Sequence, residues 1–209
     1  MSSITGRRTV NGVLAVSRRP GQRAGLHRAA VLAAARQLLA DGGAAAVTIR
    51  AVARTLQVAP NTLYSHVDSR TALLDTLLDD LLAEVTAPPP DVEDPVAGAH
   101  ALMGSTYDVL TAAPDLVPVY LNRQGARGPN AVRLGQVLDA LLERAGVDPA
   151  SVPEARRVLI VHTIGAAAFA TAPATEADAT PPLPAHQVRG SFHHSLHWLL
   201  TGITHAPPR

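Results

Sequence analysis

The chain has 209 residues, of which 47% are hydrophobic and 17% charged, so it can form one or two domains with apolar cores, and general disorder is excluded. It contains no cysteine, which excludes a disulfide scaffold, cysteine-ligated metal centres and thiol catalysis. No stretch approaches the roughly 20 apolar residues that span a bilayer, and residues 1–25 lack a signal-peptide pattern. We therefore expect a soluble cytoplasmic protein without a membrane partner.

The net charge of +1 hides a strong segregation of charge along the chain. Residues 1–70 carry ten arginines against two acidic residues, a net charge of +8. Residues 71–209 carry eight arginines against fifteen acidic residues, a net charge of −7. A basic N-terminal part on an acidic remainder indicates that the N-terminal part meets a polyanion.

The N-terminal part predicts a basic arm followed by three short helices. Residues 1–25 are rich in Gly, Ser, Pro and Arg without periodicity, which is typical of a flexible arm. The first helix covers 26–40 and stops at Asp41-Gly42-Gly43. Thr48 is a candidate N-cap for a second helix to Leu56, and a third helix over 60–67 begins at a proline, which suits a first turn. A tight joint separates the second helix from the third. Residues 26–70, here called the head, are therefore predicted to form a helix-turn-helix unit.

The remainder, residues 71–209, here called the body, is helical in pattern throughout. Ser69 is a candidate cap for a leucine-rich fourth helix, whose apolar face is wide enough to touch both head and body and whose Asp and Glu residues we expect on the opposite face. A proline run at 88–90 stops it, and further helices are predicted at about 95–112, 114–121, 129–145, 154–171 and 186–202. The predicted fold is all-α: an N-terminal three-helix unit with a helix-turn-helix and a larger C-terminal helical domain.

The predicted third helix has the character of a DNA-recognition helix. Its polar side carries Asn61, Thr62, Ser65 and His66, with Tyr64 on the flank, and it has no carboxylate to repel phosphate. Asn and Thr can hydrogen-bond to base edges, while Tyr and His can reach the DNA backbone. Arg50 and Arg70 would flank the groove and bind phosphates. Alternatively, Tyr64 fills the core, Arg50 and Arg54 are solvated charges, and Thr48 is only a cap.

The segment 47–67, VTIRAVARTLQVAPNTLYSHV, and the DSRTALL that follows it resemble the DNA-binding domain of TetR-family transcriptional regulators. The tyrosine, the two residues after it and the leucine pair of the next helix are the most specific part of a resemblance that covers about 27–85. It implies a homodimeric repressor that binds a palindromic double-stranded DNA operator and is released by a small-molecule effector. Matched positions imply DNA contacts at Thr48, Arg50, Pro60, Asn61, Thr62, Tyr64, His66 and Arg70. Gln57 departs from the family pattern, where a glycine is common.

The body offers candidates for a dimer interface and an effector pocket. The last two long helices could form a four-helix bundle with those of a second subunit, or they could be intramolecular core. The dimer candidates are Gly165, Phe192, Leu196 and Leu199. Polar and aromatic residues on otherwise apolar helices are candidates for the pocket. They are His100, Met103, Tyr107, Tyr120, Asn122, His162 and Phe169.

The histidines at 193, 194 and 197 suggest a competing hypothesis, a metalloenzyme or metal sensor. His193 and His197 have the i, i+4 spacing of some metal sites. No glutamate lies between them to act as a base, and the sequence has no Gly-rich phosphate loop or Ser/His/Asp grouping. We therefore expect no enzyme activity, no resident metal and no cofactor. The alternative to a regulator is a helical metal- or ligand-binding protein that does not regulate DNA.

Overall fold

The apolar periodicity of the sequence produces helices throughout the computed structural model, which describes residues 28–89, 91–123, 128–172 and 183–205. Within these ranges there are nine α-helices and no strand, which confirms the all-α prediction. The predicted arm, residues 1–25, lies outside the described residues. The helices are α1 Arg28–Ala46, α2 Ile49–Thr55, α3 Pro60–Leu63, α4 Arg70–Leu82, α5 Pro95–Ala112, α6 Val117–Arg123, α7 Pro129–Arg144, α8 Val152–Thr171 and α9 Ala185–Thr204, with a 3-10 turn Pro114–Leu116 before α6.

The predicted stop of the first helix appears as a break inside α1. Helical dihedral angles fail at Gly42 and Gly43, and Gly43 has a φ of 65°, in the left-handed region that glycine enters at no steric cost. After the two glycines, residues 44–46 form one short helical turn before α2 begins. The glycine pair therefore ends the long straight part of α1 and turns the chain toward α2.

The head is held together by small aliphatic side chains. Val31, Ala35, Val52 and Leu63 are almost completely buried, and α1 packs on α2, which in turn packs on α3. Leu73 of α4 lies in the same apolar core. The core of the head is therefore continuous with that of the body, to which α4 connects it.

Helix α4 joins the head to the body. It contacts α1 on one side and α5, α6 and α7 on the other. Its leucines are buried as the sequence predicts, but Asp79 is not on a solvated face: it is only 5% exposed. That expectation was wrong because Asp79 caps the N-terminus of α7, as described below.

The body packs around α5, which contacts α7, α8 and α9. Tyr107 of α5 stacks on Phe192 of α9 with ring centroids 4.2 Å apart. Phe192 is 2% exposed and Leu196 is fully buried, so both fill the core of their own chain, which is the alternative to a dimer contact that the sequence left open. Leu199 is partly buried, and Gly165 is exposed with nothing near its missing side chain.

Candidate DNA-binding surface and ligand cavity

The joint between α2 and α3 is built from backbone hydrogen bonds. Val58 donates its N–H to Ala53 O at 3.0 Å and Gln57 donates to Arg54 O at 3.1 Å, the bonding pattern of a Schellman C-cap. Gln57 sits at the left-handed position of that motif with a φ of 55°. Among the described residues it is the one non-glycine with positive φ. The joint thus has the expected shape, although the residue there is not the preferred glycine.

Helix α3 is shorter than the predicted 60–67. Regular helix covers Pro60–Leu63, and the chain continues as a turn in which His66 and Val67 donate N–H groups to Leu63 O. The hydroxyl of Ser65 donates to Thr62 O at 2.7 Å, a local side-chain bond that competes with regular helix formation. Asn, Thr and Ser are weak helix formers, which explains the early end.

The outer side of this segment is polar and open to solvent. Leu63 points into the core, while Tyr64 is 54% exposed, which places its ring outside the core rather than in it. The other predicted DNA contacts in 60–66 are exposed as well, and this face carries no carboxylate. They are Pro60, Asn61, Thr62 and His66. A surface that displays hydrogen-bonding groups without negative charge can lie against base edges and phosphates.

The neighbouring arginines of the head differ in their partners. Arg50 and Arg54 are exposed and take part in none of the ion pairs of the described residues. Arg70 donates from Nε to Val47 O at 2.8 Å and from Nη2 to Ala44 O at 2.6 Å. Arg70 thus ties the start of α4 to the end of α1, and its contact with DNA stays a prediction.

Thr48 is the N-cap of α2, since its Oγ1 accepts from Ala51 N at 3.1 Å. Ser69 caps α4 in the same way, accepting from Ala72 N at 3.0 Å. Both caps agree with the sequence predictions. The side chain of Thr48 is also exposed, so the cap leaves one side of it open to a DNA backbone.

A cavity of about 610 Å³ lies in the body between α4, α5, α6, α7 and α8. Its wall is mainly aliphatic, with Leu82 of α4, Leu138 of α7 and Ile164 of α8 among the lining residues. The polar groups that line it are Thr106, Tyr120, Arg156 and Arg157. Its size and composition are those of a small-molecule site.

The structure separates the seven residues that the sequence grouped as a pocket. Met103 and Tyr120 line the cavity, whereas His162 and Phe169 line a different, open groove of about 500 Å³ between α8 and α9. The remaining three lie at neither place: Tyr107 is stacked in the core, His100 stacks on His193 at 5.3 Å, and Asn122 is exposed on α6. The sequence could not separate them because the sorting depends on how the helices pack.

The open groove presents apolar side chains to solvent. Trp198 of α9 is 71% exposed, and Phe169 of α8 is 65% exposed. Trp198 stacks on His194, and both line the groove with Phe169 and Leu183. Exposed aromatic and aliphatic residues on two adjacent helices are typical of a protein–protein interface.

The histidines of α9 do not converge on one point. His193 is half-buried against His100 and Phe192, while His194 and His197 are exposed. Burial lowers the pKa of His193, and the nearby His100 and Arg189 lower it further, with Asp108 opposing them. Throughout the described residues, no group of three or more His, Asp or Glu side chains is placed to hold a metal ion.

Sequence reasoning missed the carboxylates of α4, which hold three other helices. Asp80 pairs with Arg36 of α1 at 2.7 Å, and Asp75 accepts two bonds of 2.7 Å from Arg123 of α6. The side-chain bond with Asp75 raises the pKa of Arg123. The one signal in the sequence is the i, i+4, i+5 spacing of Asp75, Asp79 and Asp80 along a leucine-rich helix. This spacing does not reveal the partners of the three carboxylates.

Asp79 forms the third of these links and caps α7. Its Oδ1 accepts from the backbone N–H groups of Asn130 and Ala131 at 2.9 and 3.1 Å, and its Oδ2 accepts from Asn130 Nδ2 at 3.1 Å. Gly128 approaches so closely that a Cβ there would lie 2.1 Å from Asp79 Cγ. A carboxylate from α4 therefore does the work of an N-cap side chain for α7.

An all-helical chain with a basic helix-turn-helix at one end and a cavity at the other has the architecture of a ligand-binding DNA-binding regulator. Residues 31–77 match the family model described as bacterial regulatory proteins, tetR family. This match identifies the head as similar to the DNA-binding domain of tetR-family regulatory proteins. Within the described residues, no helix is both long and apolar enough to cross a membrane.

Solved structures cover nearly the whole chain. The transcriptional regulator SCO7222, a TetR from Streptomyces coelicolor, is 26% identical over 87% of this chain and 100% of its own, with a TM-score of 0.68. BioQ with its double-stranded DNA operator is 25% identical over 87% and 99%, with a TM-score of 0.67. A TetR variant from Acinetobacter baumannii AYE in complex with minocycline is 24% identical over 85% and 96%, with a TM-score of 0.70. A comparison with curated proteins found no match.

Proposed function

We propose that the chain is a ligand-responsive, sequence-specific repressor, which a small-molecule effector in the cavity releases from a palindromic operator. The observation that carries this proposal is the exposed, carboxylate-free face of α3, together with Arg50 and Arg54 of the adjacent α2, which form no ion pair with the described residues. Residues 26–70 serve as the DNA-binding domain and 71–209 as the effector-binding and dimerisation domain. The protein acts in the cytoplasm and catalyses no reaction.

The effector site is connected to the head through α4. Leu82 lines the cavity and lies one turn after Asp79 on the same helix. Ala131 also lines the cavity, and its N–H donates to Asp79 Oδ1. A ligand that moves the start of α7 therefore acts on α4, which Asp80 ties to Arg36 of α1. A coupling free energy of about 1–3 kcal/mol would change operator affinity about 5- to 150-fold.

We propose further that the active form is a homodimer through the outer faces of α8 and α9. Two heads must lie about 34–36 Å apart to read successive major grooves, so the subunit contact is made away from the heads. The exposed Phe169, Leu183 and Trp198, which line the open groove, provide an apolar surface in the body. The BioQ operator complex and the minocycline complex support DNA and a small molecule as partners of this fold.

The DNA-binding proposal is tested with Tyr64→Ala and Arg50→Ala. Each should weaken binding to a duplex that the protein selects from a randomised pool, by about tenfold or more, because a charge-assisted or stacking contact is lost. Thermal stability should change by less than about 1 kcal/mol, because both side chains are exposed. Fluorescence anisotropy and thermal unfolding measure the two effects.

The matched control is Arg133→Ala, which removes an exposed arginine from α7 in the body. It should leave duplex binding unchanged. Equal losses of duplex affinity for Arg50→Ala and Arg133→Ala would mean that binding depends only on the net positive charge of the protein. That result would contradict the proposed interface. Unfolding of the head by Tyr64→Ala would show that the ring belongs to the core.

A further inference from the structure

We infer that the cavity binds an amphipathic monocarboxylate, an apolar molecule whose anionic end lies against Arg156. This rests on the proposed function, since it names the chemical class of the effector. It is carried by the charge of the cavity wall and by the incomplete pairing of one arginine.

The cavity wall is apolar along most of its surface and positive at one side. Arg156 and Arg157 both line it, together with the hydroxyl-bearing Thr106 and Tyr120, and no carboxylate is among the described lining residues. Asp139 and Glu154, which pair with the two arginines, lie outside the lining. Two arginines therefore contribute to the wall while their carboxylate partners do not, which favours an anion over a cation.

Arg156 is the better candidate of the two arginines. It is half-buried, and its side chain crosses the face of α7 at Gly135, where Nη1 would lie 3.7 Å from an added Cβ. Arg157 is mainly exposed and pairs with Glu154 three residues earlier on the same helix. A contact with the half-buried guanidinium is less screened by water, so it contributes more to ligand affinity.

The ion pair of Arg156 with Asp139 involves one guanidinium nitrogen and one carboxylate oxygen. Nη1 of Arg156 donates to Asp139 Oδ2, while Asp139 Oδ1 is buried with no hydrogen-bond partner. Arg123 with Asp75 and Arg189 with Asp108 each form two bonds instead. Among the described residues, Nε and Nη2 of Arg156 have no hydrogen-bond acceptor, so they can donate to a second carboxylate.

The state of Asp139 supports this use of Arg156. Burial raises the pKa of Asp139, so its charge is held less firmly than that of an exposed aspartate. A ligand carboxylate that approaches Arg156 therefore competes with a poorly satisfied partner. The aliphatic wall, which includes Leu102, Leu134 and Ile160, would enclose the rest of the ligand.

The test compares three probes of equal length, octanoate, octanol and octylamine, by titration calorimetry with the full chain. Octanoate should bind at least tenfold more tightly than octanol or octylamine. The double variant Arg156→Gln with Asp139→Asn removes both charges, so no buried charge is left unpaired. It should bind octanoate and octanol within about threefold of each other, with octanol affinity unchanged.

Three further variants locate the site. Asp139→Asn alone removes the competitor and should tighten octanoate binding, whereas Arg157→Gln should change it less than threefold. Ile160→Phe adds a ring to the cavity wall and should weaken all three probes. The assignment of the ligand class is overturned if wild type does not bind octanoate more tightly than the other two probes. It is also overturned if the double variant keeps a tenfold higher affinity for octanoate than for octanol.

Duplex binding without any probe tests the proposed function separately. A protein that binds its selected duplex but has no preference for octanoate contradicts the ligand class alone. A protein that prefers octanoate through Arg156 but selects no duplex supports the ligand class and contradicts the regulator.

Discussion

Gln57 bears a local conformational cost at the joint between α2 and α3. A left-handed conformation costs a residue with a Cβ roughly 1–2 kcal/mol, and glycine avoids this cost although it loses more chain entropy on folding. The Schellman bonds of Val58 and Gln57 nevertheless form at normal lengths. The joint therefore keeps its shape at the expense of head stability.

We expect Gln57→Gly to stabilise the protein by about 0.5–1 kcal/mol in urea unfolding, because glycine accepts a φ of 55° without strain. Gln57→Ala is the matched control: it shortens the side chain but keeps the Cβ, so stability should stay within about 0.5 kcal/mol of wild type. A loss of stability in Gln57→Gly would mean that the glutamine side chain contributes more than the strain costs.

His193 should make stability depend on pH. Because its pKa is lowered in the folded protein, mainly by burial, the unfolded chain binds more protons below about pH 6.5. Its contribution to stability is present above that pH and is lost as the pH falls through the folded-state pKa. The loss cannot exceed about 1.4 kcal/mol per pH unit, the limit for one proton.

The measurement is urea unfolding of wild type and His193→Gln between pH 7.5 and 5. The variant should lose stability less steeply on acidification, while His197→Gln, at an exposed position on the same helix, should keep the wild-type slope. Identical slopes for all three proteins would exclude His193 as the source of the pH dependence.

At the scale of elements, α4 is more than a leucine-rich connector. Its carboxylates reach α1 through Arg36, α6 through Arg123 and the start of α7 through Asn130. The pair with Arg36 is largely exposed and contributes little stability, whereas the Asp79 cap is buried. Helix α7 has no capping side chain at its own N-cap, Gly128, so its N-terminus depends on α4.

Asp79→Ala should therefore destabilise the protein by about 2–3 kcal/mol, because partly buried backbone donors of α7 lose their acceptor. Gly128→Ala should destabilise it by a similar amount, about 1–3 kcal/mol, since the new Cβ collides with the Asp79 carboxylate. Chemical unfolding measures both effects. Asp80→Ala is the control on the same helix and should cost less than about 1 kcal/mol.

The two destabilising variants also test each other. If they disturb the same cap, their effects in the double variant should fall well short of additive. Full additivity would show that Gly128 is needed for a reason other than room for Asp79.

At the scale of the whole molecule, the outer faces of α8 and α9 decide the oligomeric state. Trp198 is the one tryptophan of the chain, and it is exposed in the groove that Phe169 and Leu183 also line. Such an aromatic anchor is the kind of residue that carries 2 kcal/mol or more of binding free energy.

We expect Trp198→Arg to raise the dimer dissociation constant by about 30-fold or more in sedimentation, without a loss of monomer stability, since the side chain is exposed in the single chain. Wild-type tryptophan emission should shift to the red on dilution as the interface opens. Val132→Arg, at an exposed position on α7, is the control and should leave the dimer intact. A wild-type monomer at micromolar concentration would contradict the interface.

The head could be predicted from the sequence because its signals are local. The caps at Thr48 and Ser69, the inward Leu63 and the glycine break in α1 each depend on residues within one or two helical turns. Helical periodicity identifies the buried side of such short elements directly. The exposed polar face of α3 then follows from the position of Leu63.

Only the tertiary structure decided the arrangement of the body. Periodicity marks the apolar residues of α9 but not which of them face inward, and in the fold Phe192 is buried while Trp198 is exposed. The burial of Asp79 depends on Asn130, 51 residues away, and the cavity on side chains from five helices. These features follow from long-range packing, which one helix cannot encode because its neighbours determine which of its faces are covered.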